Sequence, residues 1–348
     1  MKRKIRTIKK AFSKTPKQLL ALGVQRISFS AGKDLSFAYP PSIILEPTNA
    51  CNLRCISCKK NSAGTQETGF MKVDDLKGLL NQAGKYLSSI LFNGFGEPLL
   101  HPQFCEFLSL FHTRVPWVKV VFFTNGLLFT DKIIDSAIHN KVHEIIISID
   151  SATAETYRKI RKNDFSILLR NIRMLNEAKK RHKTVLPLVK ASFTIMEENR
   201  HEIEAFLKLL RSLDIEPGLI EAVNTKWGYG GRVPVPADLD KAYKACRVLF
   251  PDIDLGPVFS FVRKPYGPVC PLPFVPYVAW NGDLKVCCYM PLAADYPLGN
   301  VFESSFRQVW LNKKSRHVRS ELLKKRFLPF CSDCMRAHKP LRTIRAYP

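Results

Sequence analysis

Acidic residues are scarce in this chain. Across 348 residues, 30 Asp and Glu face 54 Lys and Arg, a formal net charge of +24. That imbalance says nothing about fold, but it points to a polyanionic partner, an anionic membrane surface or an acidic substrate. Long apolar runs are missing as well. No stretch of about 18 apolar residues occurs, which excludes a conventional membrane-spanning helix. The opening MKRKIRTIKK is basic with no apolar stretch behind it, so no secretory signal is expected. No internal repeat and no recognised RNA or DNA motif is found. Ten cysteines are too few for a small disulfide scaffold. What is present suffices for a core: 46% hydrophobic and 11% aromatic residues exclude global disorder. At roughly 100–200 residues per domain, one large and one smaller domain are allowed.

From Ser42 the chain alternates between apolar β-type runs and helical patterns. The expected strands are SIILEPT, SSILFNG, KVVFFTNG, EIIISID, LVKASFTIM and GLIEAV. Between them lie VDDLKGLLNQAGKYL, QFCEFLSLFH, DKIIDSAIHN, FSILLRNIRMLNEAKKR and RHEIEAFLKLLRSL. Near-continuous apolar strands separated by helices predict an α/β fold with a parallel, helix-covered sheet, its chemistry at the carboxyl ends of the strands. The Gly- and Pro-rich NTKWGYGGRVPVP reads as a linker. After it come a helix around Lys241–Leu249, then short strands, turns and clustered cysteines. The expected division is a basic extension over 1–40, a barrel over 41–225, a linker over 226–245, a cysteine-rich domain over 246–338 and a basic tail over 339–348. In the extension, Ile5, Ile8 and Phe12 make a weak amphipathic helix pattern, and no acid precedes Asp34. It reads as a solvated terminal helix or, through residues 2–17, as a contact for an anionic membrane surface.

The string EPTNACNLRCISCKK places Cys51, Cys55 and Cys58 as C-x3-C-x2-C just after the first strand. Three thiolates in one loop can hold three corners of a cubane iron–sulfur cluster. No fourth cysteine is near in sequence, so one iron would stay open to a chelating ligand. Zinc, which takes four Cys or His ligands, fits a lone C-x3-C-x2-C poorly. Three core thiols fit a polar loop worse still.

This loop resembles that of the radical S-adenosylmethionine (SAM) superfamily, where it follows the first strand of a partial (β/α)6 TIM-like barrel. The resemblance implies that SAM chelates the open iron and that a reduced [4Fe–4S] cluster cleaves it. A 5′-deoxyadenosyl radical then abstracts hydrogen from a substrate. It also implies cofactor contacts at strand ends. Gly94, Gly96 and Glu97 of NGFGEP match the family's cofactor-binding Gly-Gly-Glu position, where Gly96 and Glu97 would meet the methionine amine. Thr124 and Asn125 of TNG, Ser148 and Asp150 of SID, and Arg161 would meet the ribose or carboxylate. Each alone reads equally well as a helix cap or turn residue. Ser57 stands where many relatives carry an aromatic residue, so adenine needs another partner.

Cys270, Cys287, Cys288, Cys331 and Cys334 form a second set ending in C-x2-C. It resembles the SPASM or twitch-type extension of the same superfamily, implying one auxiliary [4Fe–4S] cluster; which of Cys287 and Cys288 ligates is left open by spacing. A structural zinc is the alternative. An auxiliary cluster can accept an electron from a substrate radical, giving a dehydrogenase-like oxidation of a small molecule. Glu221, at the end of the sixth strand, and Cys246 are candidates to handle the proton, although Cys246, on an expected helix, reads first as a core thiol. His101 and Cys105 read as loop and core residues. The alternatives are a peptide or protein maturase and a non-enzymatic basic zinc or nucleic-acid binder. The enzyme reading implies a small-molecule or peptide substrate and a reducing partner such as flavodoxin or ferredoxin, with no specific nucleic acid. Clustered thiols imply a cytoplasmic protein, with a peripheral membrane association as the variant.

Overall fold

The computed structural model describes residues 15–37, 39–58, 60, 67–222, 236–258, 274–285, 298–324, 326 and 328. The basic stretch 2–14, the Gly-rich linker, Cys270, Cys287, Cys288, Cys331, Cys334 and the tail lie outside the described residues.

Six strands run in parallel: β1 (Ser42–Leu45), β2 (Ser89–Phe92), β3 (Lys119–Thr124), β4 (Glu144–Ser148), β5 (Leu188–Ile195) and β6 (Glu216–Ala222). Each pairs with the next along the chain. A doubly wound sheet reverses its strand order at a switch point. Here the order never reverses, which is the progression of a (β/α) barrel. Among the described residues the sheet ends at β6 on one side. On the other side β1 pairs with β7 (Tyr277–Val278), which turns back antiparallel into β8 (Leu284–Lys285). The cysteine-rich region thus contributes two strands to the sheet of the barrel.

The crossovers carry α2 (Val73–Ala83), α3 (Phe104–Arg114), α4 (Asp131–His139), α5 (Ala154–Arg161), α6 (Phe165–Arg181) and α7 (Ile203–Ser212), after α1 (Pro16–Ala31) at the start. Their apolar spacing sets the buried face, as in α2, where Val73, Leu76, Leu79, Leu80 and Ala83 are buried. Side chains of Thr130, Thr153 and Asp164 start α4, α5 and α6 by accepting the amide hydrogens of Ile133, Thr156 and Ser166. Among the described residues the remaining α-helices are α8 (Pro236–Leu249), α9 (Leu255–Val258), α10 (Phe306–Leu311) and α11 (Lys313–Leu323).

Three features differ from the sequence reading. Strand β6 starts at Glu216, before Gly218, because Pro217 is tolerated on an edge strand beside an irregular pairing at Ala191/Ser192. Helix α8 starts at Pro236, inside the expected linker, and packs on α7 and β6. Helix α1 occupies part of the expected extension and is tied to the body: the Gln18 amide donates to the Leu87 carbonyl. Just beyond it, Asp34 meets Arg319 of α11 at 2.9 Å, with Arg319 lying 3.9 Å over the Trp310 ring.

Candidate active site at the carboxyl ends of the strands

The loop after β1 carries Cys51, Cys55 and Cys58, and the turn after β2 is fastened to it. The Glu97 amide donates to the Ala50 carbonyl at 2.7 Å. At Gly96 a Cβ would overlap the carbonyl oxygens of Thr48 and Ala50. Both obstacles are backbone, so glycine is required for this close approach. At Gly94 a Cβ would overlap the side chain of Glu46.

The Glu97 carboxylate is buried and gathers the next loop. Its Oε1 accepts from the Thr124 hydroxyl at 2.6 Å and the Leu99 amide at 3.1 Å, and its Oε2 accepts from the Asn125 amide at 2.7 Å. Burial pushes Glu97 up to about 7, against the pull of these donors and of Arg161. The Asn125 amide group donates to the Asn52 side chain at 2.8 Å, returning to the cysteine loop.

A second approach comes from β4 and α5. Asp150 adopts a left-handed φ of 60° and is buried. Its carboxylate accepts from the Thr194 amide at 2.7 Å and from the Arg161 guanidinium. Another nitrogen of Arg161 lies 3.6 Å from the Cys55 sulfur. Burial alone would lower Arg161, but Asp150, Cys55 and Tyr157 outweigh it and raise it, so the guanidinium stays charged. The Ile56 amide donates to the Ile160 carbonyl at 3.0 Å, joining the cysteine loop to α5.

Sequence reasoning thus named ten residues that the fold brings together: Cys51, Cys55, Cys58, Gly94, Gly96, Glu97, Thr124, Asn125, Asp150 and Arg161. Ser148 and Glu221 stand on the same rim. The Ser192 hydroxyl is 3.4 Å from that of Ser148, and Glu221 is in register with Thr194. Cys246 is not brought to the rim network. It lies on α8 in the apolar core, fully buried, and burial pushes its thiol up to about 12. That is the placement of a core thiol, the first of its two readings. His101 is also structural: one ring nitrogen lies 2.9 Å from the Met71 carbonyl and the other accepts the Gln103 amide.

Three residues were missed. Glu46 ends β1, is buried, and accepts from the Phe95 amide at 2.8 Å, while the Trp280 amide and the Tyr277 hydroxyl help hold it. Glu202 accepts from the Ala152 amide and the Thr153 and Thr156 hydroxyls, holding the start of α5. Glu46 directly follows a strand, the signal that identified Glu97 and Asp150, whereas Glu202 lies in the turn Arg200–Glu202 beyond β5 and gave none. Tyr157, buried on α5, gave no such signal, since an aromatic residue at helical spacing reads as core.

The site fits a bound iron–sulfur group and a polar ligand. The Tyr157 hydroxyl and Arg161 Nε are buried with no hydrogen-bond partner among the described residues. Burial raises Tyr157, and after the opposing effect of Arg161 so do Cys55, Asp150 and Glu97, which places its hydroxyl in the field of the site. Burial also pushes Cys51 up to about 11, and Glu97, Cys55 and Cys58 add to it. Three bare thiolates would repel one another here, and iron supplies the compensating positive charge. Among the described residues no three Cys, His, Asp or Glu are gathered for a single metal ion.

Comparison with known proteins agrees with this geometry. The family model of the radical SAM superfamily matches residues 45–210, and that of the SPASM iron–sulfur cluster-binding domain matches residues 273–335. A tungsten-containing aldehyde ferredoxin oxidoreductase cofactor-modifying protein of Pyrococcus furiosus is 26% identical, over 84% of this chain and 86% of that one. The subtilosin biosynthesis protein AlbA of Bacillus subtilis is 23% identical, over 84% of this chain and 65% of its own length. Other curated relatives match over about half of their length and half of this chain. Among solved structures, Streptococcus suis SuiB bound to S-adenosylmethionine superposes with a TM-score of 0.64 at 15% identity, covering 81% of this chain and 68% of that one.

Proposed function

We propose that this chain, which belongs to the radical SAM superfamily and carries a SPASM domain toward its C-terminal end, oxidises a substrate after hydrogen abstraction, with an auxiliary cluster as electron acceptor. Its cofactors are SAM and [4Fe–4S] clusters. When bound, they supply reductive cleavage of SAM and the adenosyl radical that abstracts hydrogen.

The remaining work falls to the chain's own residues. Cys51, Cys55 and Cys58 would hold the first cluster. Arg161, clamped by Asp150, keeps positive charge against the Cys55 sulfur and favours its thiolate. A carboxylate accepts about four hydrogen bonds. The chain fills three at Glu97, leaving room for one donor such as the ammonium of SAM. Tyr157 and Arg161 Nε would meet its polar groups. Glu221, on the same rim, is the candidate proton acceptor. The observation that carries the SAM-cleaving part of the reading is the Cys55–Arg161–Asp150 line within the three-cysteine site. It explains a strand-end acid, a helix-end arginine and a thiol as one unit.

A second reading, a peptide or protein substrate, is supported by the relative named for subtilosin biosynthesis, which matches over most of this chain. The two readings share their first step, and the test separates them. Iron, acid-labile sulfide and zinc are counted in anaerobically reconstituted protein. 5′-Deoxyadenosine is then followed with dithionite, or with flavodoxin or ferredoxin as donor. On the order of eight irons, at four per cluster, with SAM cleavage lost in the triple Cys51→Ala, Cys55→Ala, Cys58→Ala variant, is the expected result. Zinc without iron would overturn the enzyme reading. Stimulation of cleavage by candidate peptides but not by small alcohols or amines would select the second substrate class.

A further inference from the structure

Surface helices of soluble proteins turn charged residues outward. Helix α6 does so: Arg170, Arg173, Glu177, Lys180 and Arg181 are its exposed long side chains. Helix α1 does the opposite. Its inner face buries Gln18, Ala21 and Ser28. At 100° per residue, Leu19, Leu20, Gly23 and Ile27 fall within about 100° of arc on the opposite side. That strip holds no charge. Leu19 is 56% exposed, Leu20 46% and Ile27 58%. Two more exposed large apolar residues, Leu35 and Phe37, follow in the same segment. Of the seven such residues among those described, five lie between positions 19 and 37.

The charges around the strip have one sign. Arg26 borders it on one side and Lys17 on the other, Lys33 follows the helix, and both Lys17 and Arg26 are exposed. Seven Lys and Arg precede position 15, and the first acid of the chain is Asp34. Asp34 is itself occupied by Arg319. An apolar strip whose exposed charged neighbours on its own described helix are cations is complementary to an anionic bilayer, whose headgroups attract the cations while its acyl boundary accepts the strip. No described helix is long and apolar enough to cross a membrane. We infer that the outward face of α1, through Leu19, Leu20 and Ile27, docks this protein on an anionic membrane surface, lying in its interface. The basic prefix supplies long-range attraction, and α1 supplies the apolar contact that charge alone lacks. The inference is independent of the substrate and of the chemistry at the rim.

The test uses the full, reconstituted chain and vesicles of phosphatidylcholine alone or with phosphatidylglycerol added, read by co-sedimentation. Wild type binds the mixed vesicles, and binding weakens as salt shortens the Debye length. The double variant Leu20→Glu, Ile27→Glu binds at least about tenfold more weakly. Its melting temperature and vesicle-free SAM cleavage stay unchanged, and Val248→Glu, at an exposed site on α8, leaves binding intact. Equal binding of wild type and double variant would overturn the proposal, leaving charge alone. So would a failure of wild type to bind. A wild-type dimer dispersed by Ile27→Glu would overturn it in favour of a second copy of this chain. Binding gained only when residues 2–14 are deleted would overturn it in favour of the chain's own prefix as the cover.

Discussion

Removing Arg161 is the sharpest perturbation of the rim. Its side chain is 13% exposed and that of Asp150 only 2%, so water screens the pair little. Breaking such a pair from one side leaves an uncompensated buried charge and costs about 3–5 kcal/mol. In Arg161→Met, the Asp150 carboxylate keeps one donor, the Thr194 backbone amide at 2.7 Å. One amide does not replace a guanidinium. At roughly 2–4 °C per kcal/mol for a body of 150–250 residues, the melting temperature should fall by about 6–20 °C. The double variant Arg161→Met, Asp150→Asn removes both charges and should recover at least about 2 kcal/mol relative to the sum of the single variants. Melts followed by far-UV circular dichroism on the apo chain isolate this fold contribution. Iron content and 5′-deoxyadenosine release in the reconstituted chain then report the second role of Arg161, the charge at Cys55. Arg161→Lys should rescue the melt in part and the cluster poorly, because one ammonium cannot fork between a carboxylate and a thiolate as a guanidinium does. A single-variant cost below about 1 kcal/mol, or strict additivity in the double variant, would refute the reasoning.

Gly96→Ala should fold its strands yet fail to retain iron and to cleave SAM, since the added methyl meets the carbonyls of Thr48 and Ala50 beside Cys51; iron per chain decides. Cys246→Ala should keep SAM cleavage and lose about 1–3 kcal/mol of stability to a small cavity; lost cleavage in a chain that still melts cooperatively would return Cys246 to the candidate catalytic residues. His143 is buried and lowered from 6.5 to about 4, first by burial and then by Lys119 and Lys190. The unfolded chain therefore binds the extra proton at this site between those values, so the contribution of His143 is full above pH 6.5 and about 3 kcal/mol of it is lost as pH drops to 4, while Glu97, raised to about 7, acts in the opposite sense over that window. The neighbouring Lys190 is paired with Glu144 at 2.8 Å; His143→Gln should flatten the slope of melting temperature against pH over that window.

The barrel was legible because its strands are near-continuous apolar runs that end in polar turns, and helices of the right length lie between them. All six parallel strands appear where the pattern put them, within a residue or a few at their ends. The helices that escaped notice carried local signals of another kind. TPKQ at Thr15–Gln18 and SFRQ at Ser305–Gln308 are capping boxes, each with reciprocal bonds in the structure. Apolar periodicity was a poor guide to α1 because its outward face is apolar too. The pairing of β7 with β1 was not legible at all. A two-residue strand has no period, and its partner lies over 200 residues earlier in the chain.

At the site, the motif strings located the right residues but not the direction in which they act. Glu97 and Asp150 were expected to face a ligand. Glu97 accepts three bonds and Asp150 two from the chain itself, and Glu46, just past β1, and Glu202, in the turn before α7, repeat the arrangement. A buried carboxylate is costly unless several donors converge on it. The donors are backbone amides, hydroxyls and one guanidinium from a neighbouring strand end, loop or helix, so each acid ties one segment of the rim to another. In a chain with so few acids, four buried at one rim hold the loops after β1, β2, β3 and β4 in fixed relation. A reaction that must keep water from a radical needs such rigidity in the loops that enclose it. The acids therefore serve the chemistry chiefly by what they hold in place, and the groups proposed to meet the ligand are the remaining acceptor position of Glu97 with Tyr157 and Arg161 Nε, both buried with no hydrogen-bond partner among the described residues.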